Sequence, residues 1–272
     1  MSTPIPRSIF QTWKTSDGRA WSRSMRGWVR SWKELNADHE HRLFDDAACF
    51  EHVAERFPRL LDVYCGLRPV ERADLWRYLV LLERGGVYSD VDTVCRLPIA
   101  TWLAAADELV VALEWDLLDR YPDWQPRKRL RSGGAYDPIC GWRDHPVMIA
   151  NWTFAARAGH PVLCDVVERV ATNARDPYFV LEDPAWTIKK TGPGVLTDAV
   201  GDYLQARGTS LVEVAHGLRV VSEIRVGEVR ILDLRAFRRR HVLHVGMSSW
   251  NPAARAPWTR IATGVRTALS WF

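Results

Sequence analysis

Asp90 and Asp92 stand one residue apart in the stretch RADLWRYLVLLERGGVYSDVDTV, Arg72 to Val94. Side chains along a strand repeat with period two, so an extended segment here projects Tyr88, Asp90 and Asp92 from one side. Two carboxylates that close repel unless a proton or a cation lies between them, and Mg2+ or Mn2+ with phosphate oxygens is the usual partner for hard oxygen ligands. Three residues apart on the preceding segment, Asp74 and Arg77 offer one acceptor and one donor from the same helix face. A D-x-D pair alone also fits a solvated turn, and an Asp–Arg pair alone also fits a surface ion pair worth under about 1 kcal/mol.

The elements that must carry these groups are legible around them. Leu75, Leu79 and Leu82 recur at helical spacing, which predicts a helix over Val70–Arg84, and Gly85-Gly86 then lets the chain turn sharply into a strand over Val87–Val94. Strands are expected at Ser8–Trp13, Arg42–Phe44 and Leu109–Leu113, with a helix over Ala47–Arg56. Helices are expected around Val147–Ala158, Pro161–Thr172 and after Gly194, and strands at Val229–Leu234 and His241–Val245. This alternation gives an α/β fold, a mixed and mostly parallel central sheet flanked by helices, with ligands gathered at the carboxyl ends of strands. No repeat or Pro/Gly/Ser linker divides the chain, so residues 1–272 are expected to form a single domain.

The 272 residues, 47% of them hydrophobic, suffice to bury a substantial core. The net charge of only +4, from 37 basic and 33 acidic residues, argues against a nucleic-acid binder and suits an enzyme. The basic run 127–131 lies in an expected surface loop. Five cysteines without a C-x-x-C pair point away from structural zinc and disulfides. No signal peptide or membrane-spanning run is visible, which leads us to expect a cytoplasmic protein. Asn151-Trp152-Thr153 is then a chance glycosylation sequon. Fourteen tryptophans exceed ordinary usage, and flat amphipathic rings stack on bases and sugars as well as filling cores.

Ala73-Asp74, Arg77-Tyr78, Gly85-Gly86-Val87-Tyr88 and Asp90-Val91-Asp92 together resemble, at matching spacing, the signature of the DXD sugar transferases of glycosyltransferase family 32. IPRSIFQTWK near the start, NWTFAARAGHP at 151–161, TGPGVLTDAV at 191–200 and HVGMSSW at 244–250 agree with it. With DVDTVCRLPIATW after the acids, the chain looks most like the fungal-type α-1,6-mannosyltransferases that initiate outer-chain mannans. The family has His where Phe10 stands, so any polar contact made there is lost.

The resemblance implies a GT-A type fold, a nucleotide-sugar donor, a divalent metal (Mn2+, or Mg2+) and retention at the anomeric carbon. Carried over residue by residue, Asp92 ligates the metal and Asp90 reaches ribose or sugar through it. Asp74 and Arg77 hold the donor sugar hydroxyls, Tyr88 lines the same pocket, and Trp13 stacks on the base. His244, Ser249 and Trp250 approach the metal and diphosphate from the C-terminal side. GDP-mannose is the favoured donor, with UDP-galactose or UDP-glucose as the alternative, and the acceptor is a glycan, glycolipid or other hydroxyl.

Other features have plainer uses. His160-Pro161 suits a helix start, and Gly192-Pro193-Gly194 meets a backbone requirement at another. Trp258, Ile261, Val265, Leu269 and Phe272 form an apolar stripe that packs on the domain or lies peripherally on a membrane surface. Two rival readings start from the same residues. Asp90-Val91-Asp92-Thr93-Val94 fits the nucleophile motif of haloacid dehalogenase-like phosphatases, which lacks its later acidic pair here, and a tryptophan-rich surface fits a non-catalytic glycan binder, which has no need of a clamp for metal and diphosphate.

Overall fold

The computed structural model describes residues 4–120, 145–180 and 184–247. In chain order they form β1 (Ser8–Thr12), α1 (Arg23–Leu35), β2 (Glu40–Phe44), α2 (Asp46–Arg56), α3 (Leu61–Gly66), α4 (Pro69–Arg84), β3 (Gly86–Ser89), β4 (Thr93–Cys95), β5 (Leu109–Asp116) and α5 (Leu117–Arg120). Then come β6 (Val147–Ile149), β7 (Thr153–Ala156), α6 (Pro161–Arg175), α7 (Pro184–Lys190), α8 (Pro193–Gln205), α9 (Leu211–Leu218), β8 (Glu223–Val226), β9 (Val229–Leu232), α10 (Leu234–Arg240) and β10 (Val242–His244).

The main sheet runs β2-β1-β3-β7-β5-β9-β8, with β6 paired to β5. β1 is parallel to both β2 and β3, and β5 is parallel to β9, whereas β7 lies antiparallel between β3 and β5. It follows that β2, β1, β3, β5 and β9 all point one way, and the sheet is mixed and mostly parallel, as expected. Alternate residues of these strands serve two cores. Phe10, Tyr88, Val111 and Phe154 join the apolar faces of α4, α6 and α8 on one side. On the other, Ile9, Val87, Val110 and Ala155 pack with Trp32 of α1, Trp102 and Phe237 of α10.

Two expectations are corrected. The run Val147–Ala158 is no helix but β6 and β7, both fully buried, which run the same way along β5 with a break in the pairing at 150–152. Short apolar segments buried on both faces show no alternation, and only pairing with β5 and β3 settles their state. Likewise Val87–Val94 is two strands, not one. The β3 ladder ends where the Asp90 amide donates to Trp152 O at 2.8 Å, and side chains take over the Asp90 carbonyl, which accepts from Gln11 Nε2 (3.2 Å) and Thr93 Oγ1 (2.5 Å). Asp90 and Asp92 therefore flank a turn rather than sharing one side of a strand.

The entry into that turn depends on α4. Pro69 occupies its first turn, where a missing N–H costs nothing, and the Glu71 carboxylate accepts from the Arg68 amide at 3.0 Å. From Asp74 to Leu81 every residue is buried, because α4 is enclosed by the sheet and by α6 and α7. Gly85 (φ 64°) ends it and Gly86 (φ 124°) starts β3. A Cβ on Gly86 would sit 2.7 Å from Ser8 O, so only glycine lets β3 pass this close to β1.

Candidate active site

The parallel strands β2, β1 and β3 end along one rim of the sheet, the place where α/β proteins collect ligands. A cavity of about 920 Å³ opens there. Trp13 lies just past β1, Asp90 and Asp92 just past β3, and His244 at the end of β10, and all four line it together with Asp74, Arg77 and Tyr88. The antiparallel pairing of β10 with β4, His244 opposite Thr93, is what carries the histidine to the acids. Ser249 and Trp250, expected in the same pocket, lie outside the described residues, as do the basic run and the C-terminal stripe.

Arg77 is the hub of the inner wall. Its Nη2 stands 3.1 Å from Asp74 Oδ1 and 3.4 Å from Asp90 Oδ1, its Nη1 donates to Asn151 O at 2.8 Å, and its Cζ lies 4.8 Å from the Tyr88 ring centre. The pair is buried rather than a surface contact, with Asp74 4% and Arg77 6% exposed. Burial works against the charge of Arg77, but Asp90 and its other anionic neighbours outweigh it and hold the guanidinium more firmly protonated than usual. Asp74 is pushed up to about 6 by burial, against the pull of Arg77 and a hydrogen bond from Thr191 Oγ1 (3.0 Å). Asn151 Nδ2 donates to the same carboxylate at 3.1 Å.

The two turn acids are held differently. Asp90 Oδ1 accepts from Tyr88 Oη at 2.7 Å, and burial raises the carboxyl despite Arg77. Asp92 feels burial too, yet the His244 imidazole, 3.6 Å away, and the Met247 amide, 2.7 Å away, bring it below the ordinary carboxylate range. His244 in turn is raised, since Asp92, Asp90 and Glu114 outweigh its burial. Its ring stacks on Trp152 at 4.7 Å and 19°, and Trp152 Nε1 donates to Glu114 at 2.5 Å.

One ligand atom from each of Asp90, Asp92 and His244 falls within 4.8 Å of the others. Two carboxylate oxygens and an imidazole nitrogen make a donor set suited to a hard or borderline divalent cation such as Mg2+ or Mn2+. The residues present thus fit the metal that the sequence leads one to expect.

Sequence reasoning missed Asn151, Trp152 and Glu114. Asn151 bridges Asp74, Tyr78 and Arg77, and the signal for it was present in Asn151-Trp152-Thr153, read above as a chance sequon. Glu114 carried no signal, being the first polar residue after the apolar run that opens β5.

A protein family described as the glycosyltransferase sugar-binding region containing DXD motif matches residues 22–109, which hold α4, Arg77 and both acids. An initiation-specific α-1,6-mannosyltransferase of Schizosaccharomyces pombe is 31% identical over 91% of this chain and 60% of its own length. Its counterpart in Candida albicans is 28% identical over 75% of this chain and 54% of its own length. An inositol phosphoceramide mannosyltransferase of S. pombe is 30% identical over 66% and 42%. The chain therefore spans between 42% and 60% of the length of these curated relatives. Over residues 22–109, which hold the clustered acids, the chain is similar to the glycosyltransferases whose sugar-binding region contains a DXD motif.

Proposed function

We propose that the protein transfers mannose from GDP-mannose to a hydroxyl of a glycan or glycolipid, with retention at the anomeric carbon. The observation that carries this reading is one cavity lined by a cluster fit for a divalent cation, a buried Asp–Arg pair and an aromatic residue on adjacent strand ends. Asp90, Asp92 and His244 would hold Mn2+ or Mg2+. When bound, such a cation supplies positive charge beside the diphosphate that departs.

The chain's own residues do the rest. Asp74 and Arg77, fixed against each other and against Asn151, present an acceptor and donors to the sugar hydroxyls. Tyr88 keeps Asp90 oriented through its hydroxyl. Trp13 stacks on the base. Bond breaking leaves positive character on the sugar and negative charge on the phosphate oxygen, and the buried Arg77 guanidinium adds fixed countercharge in a site of low dielectric. The acceptor attacks from the face the diphosphate leaves, and the leaving phosphate oxygen takes its proton. No protein nucleophile is needed.

Thermal unfolding against GDP-mannose, GDP, UDP-glucose and UDP-galactose, with and without manganese, tests the reading. A ligand at a hundred times its Kd stabilises by about 2.7 kcal/mol. We expect that shift with the guanine nucleotides in manganese only, and its loss in Asp92→Ala. Shifts with UDP sugars instead would replace the donor, and a metal-dependent shift retained by Asp92→Ala would sink the site assignment.

A further inference from the structure

The strand register carries the donor reading one step further. Thr12 is paired with Phe44 across β1 and β2, and the Trp13 amide donates to Phe44 O at 3.0 Å. Trp13 therefore leaves the sheet beside the first residues of α2. Two carboxylates stand there. Asp45 is engaged, accepting from Ser16 Oγ at 2.6 Å and from the Ala48 amide at 3.0 Å as the helix cap. The side chain of Asp46 is exposed, makes no hydrogen bond or ion pair among the described residues, and lines the cavity with Trp13 and Lys14. Lys14 Nζ lies 5.7 Å from the centre of the Trp13 ring.

Neighbouring strands are about 4.8 Å apart. From the end of β2 past β1 to the end of β3 is then two spacings, about 10 Å, with Asp46 at one end, Trp13 between, and Asp90 and Asp92 at the other. A nucleoside diphosphate laid along this rim, its phosphates at the two acids and its base on Trp13, brings the outer edge of the base to Asp46. Guanine offers two adjacent donors on that edge, N1–H and the 2-amino group, which a carboxylate accepts together. Uracil offers one N–H between two carbonyl oxygens, and those oxygens oppose a carboxylate.

We propose that Asp46 is the residue that reads the base, accepting both donors of guanine and disfavouring uracil, with Trp13 as the stacking platform. The inference rests on the guanine-nucleotide reading above. A charged acceptor strengthens each bond, and a site built around paired donors rejects bases that lack them.

Binding of GDP, IDP and UDP in manganese, followed by calorimetry, tests this on the parent protein, Asp46→Ala and Asp46→Asn. IDP keeps N1–H and lacks the 2-amino group. The parent protein should bind GDP about tenfold more tightly than IDP, and Asp46→Ala should lose about 10- to 100-fold in GDP affinity while its GDP-to-IDP ratio falls towards one. A parent that prefers GDP with variants that keep that ratio, or that weaken all three nucleotides equally, overturns the role of Asp46 and leaves the donor reading intact. A parent that prefers UDP, or binds none of the three, overturns the donor reading and this inference with it, and the parent protein alone reveals that outcome.

Discussion

Replacing Asp74 by asparagine separates what the buried pair does for the site from what it costs the fold. The carboxyl rises from an unfolded value near 3.8 to about 6 because burial, helped by the charges of Asp90 and Glu71, outweighs the relief from Arg77 and Thr191. Between those values the folded protein binds more protons than the unfolded chain, so this group's contribution to stability declines as pH rises. At 1.36 kcal/mol per pKa unit the penalty amounts to about 3 kcal/mol at pH 7.5 and about 1 kcal/mol at pH 4.5. Asparagine keeps the Oδ1 that faces Arg77 and Asn151, and its amide meets a Thr191 hydroxyl able to turn and accept. It carries no charge to bury. Urea unfolding should therefore find Asp74→Asn more stable than the parent by up to about 3 kcal/mol at pH 7.5, with the gap shrinking to about 1 kcal/mol at pH 4.5. Carboxyls remote from Asp74 titrate alike in both proteins and cancel, so the difference reports Asp74 together with its coupling to Asp90 and Glu71. Donor binding should be lost, since the sugar clamp has lost its charge. A gap that does not change with pH, or a variant less stable than the parent at pH 7.5, would refute the account.

Glu83 has the opposite sign. Burial raises it, but hydrogen bonds from His52, Arg56 and Arg84 prevail and lower it from 4.5 to about 2, so about 3 kcal/mol of stability present above pH 4.5 disappears as pH falls towards 2; Glu83→Gln should flatten that acid limb in pH-dependent unfolding. Gly86→Ala would force a Cβ to within 2.7 Å of Ser8 O at a backbone angle of +124°, and chemical denaturation should register a loss of more than about 2 kcal/mol.

How far the sequence reached varied with the physics of each element. Amphipathic or capped helices were readable, since His160-Pro161 and Gly192-Pro193 mark the starts of α6 and α8 and the leucines of α4 fall at helical spacing. The runs that became β6 and β7 were not, because a segment buried on both faces loses the alternation that distinguishes strand from helix. At the site, the spacing of Asp74, Arg77, Tyr88, Asp90 and Asp92 singled them out, Trp13 and His244 came only with the family resemblance, and one cavity gathers all seven. The turn that gathers the acids was misread as strand, since it is imposed by Trp152 O, Gln11 and Thr93 rather than by a turn residue such as Gly or Pro. Glu114 and Trp152 depend on pairing of β5 with β6 and β7, which no local pattern records.

The small β4–β10 ribbon has a bearing on how the molecule comes to be folded. His244 and the Val245 and Met247 amides reach Asp92 from the far end of the described chain, with Met247 155 residues beyond its partner. Contacts so remote in sequence form slowly, because the entropy of closing the intervening loop is lost before any contact compensates it. The acids of the turn are synthesised early, but their cluster closes only when β10 docks against β4. A nascent chain released before residue 242 would lack the strand that brings in the imidazole, so capacity to hold a cation would be among the last properties the folding protein acquires.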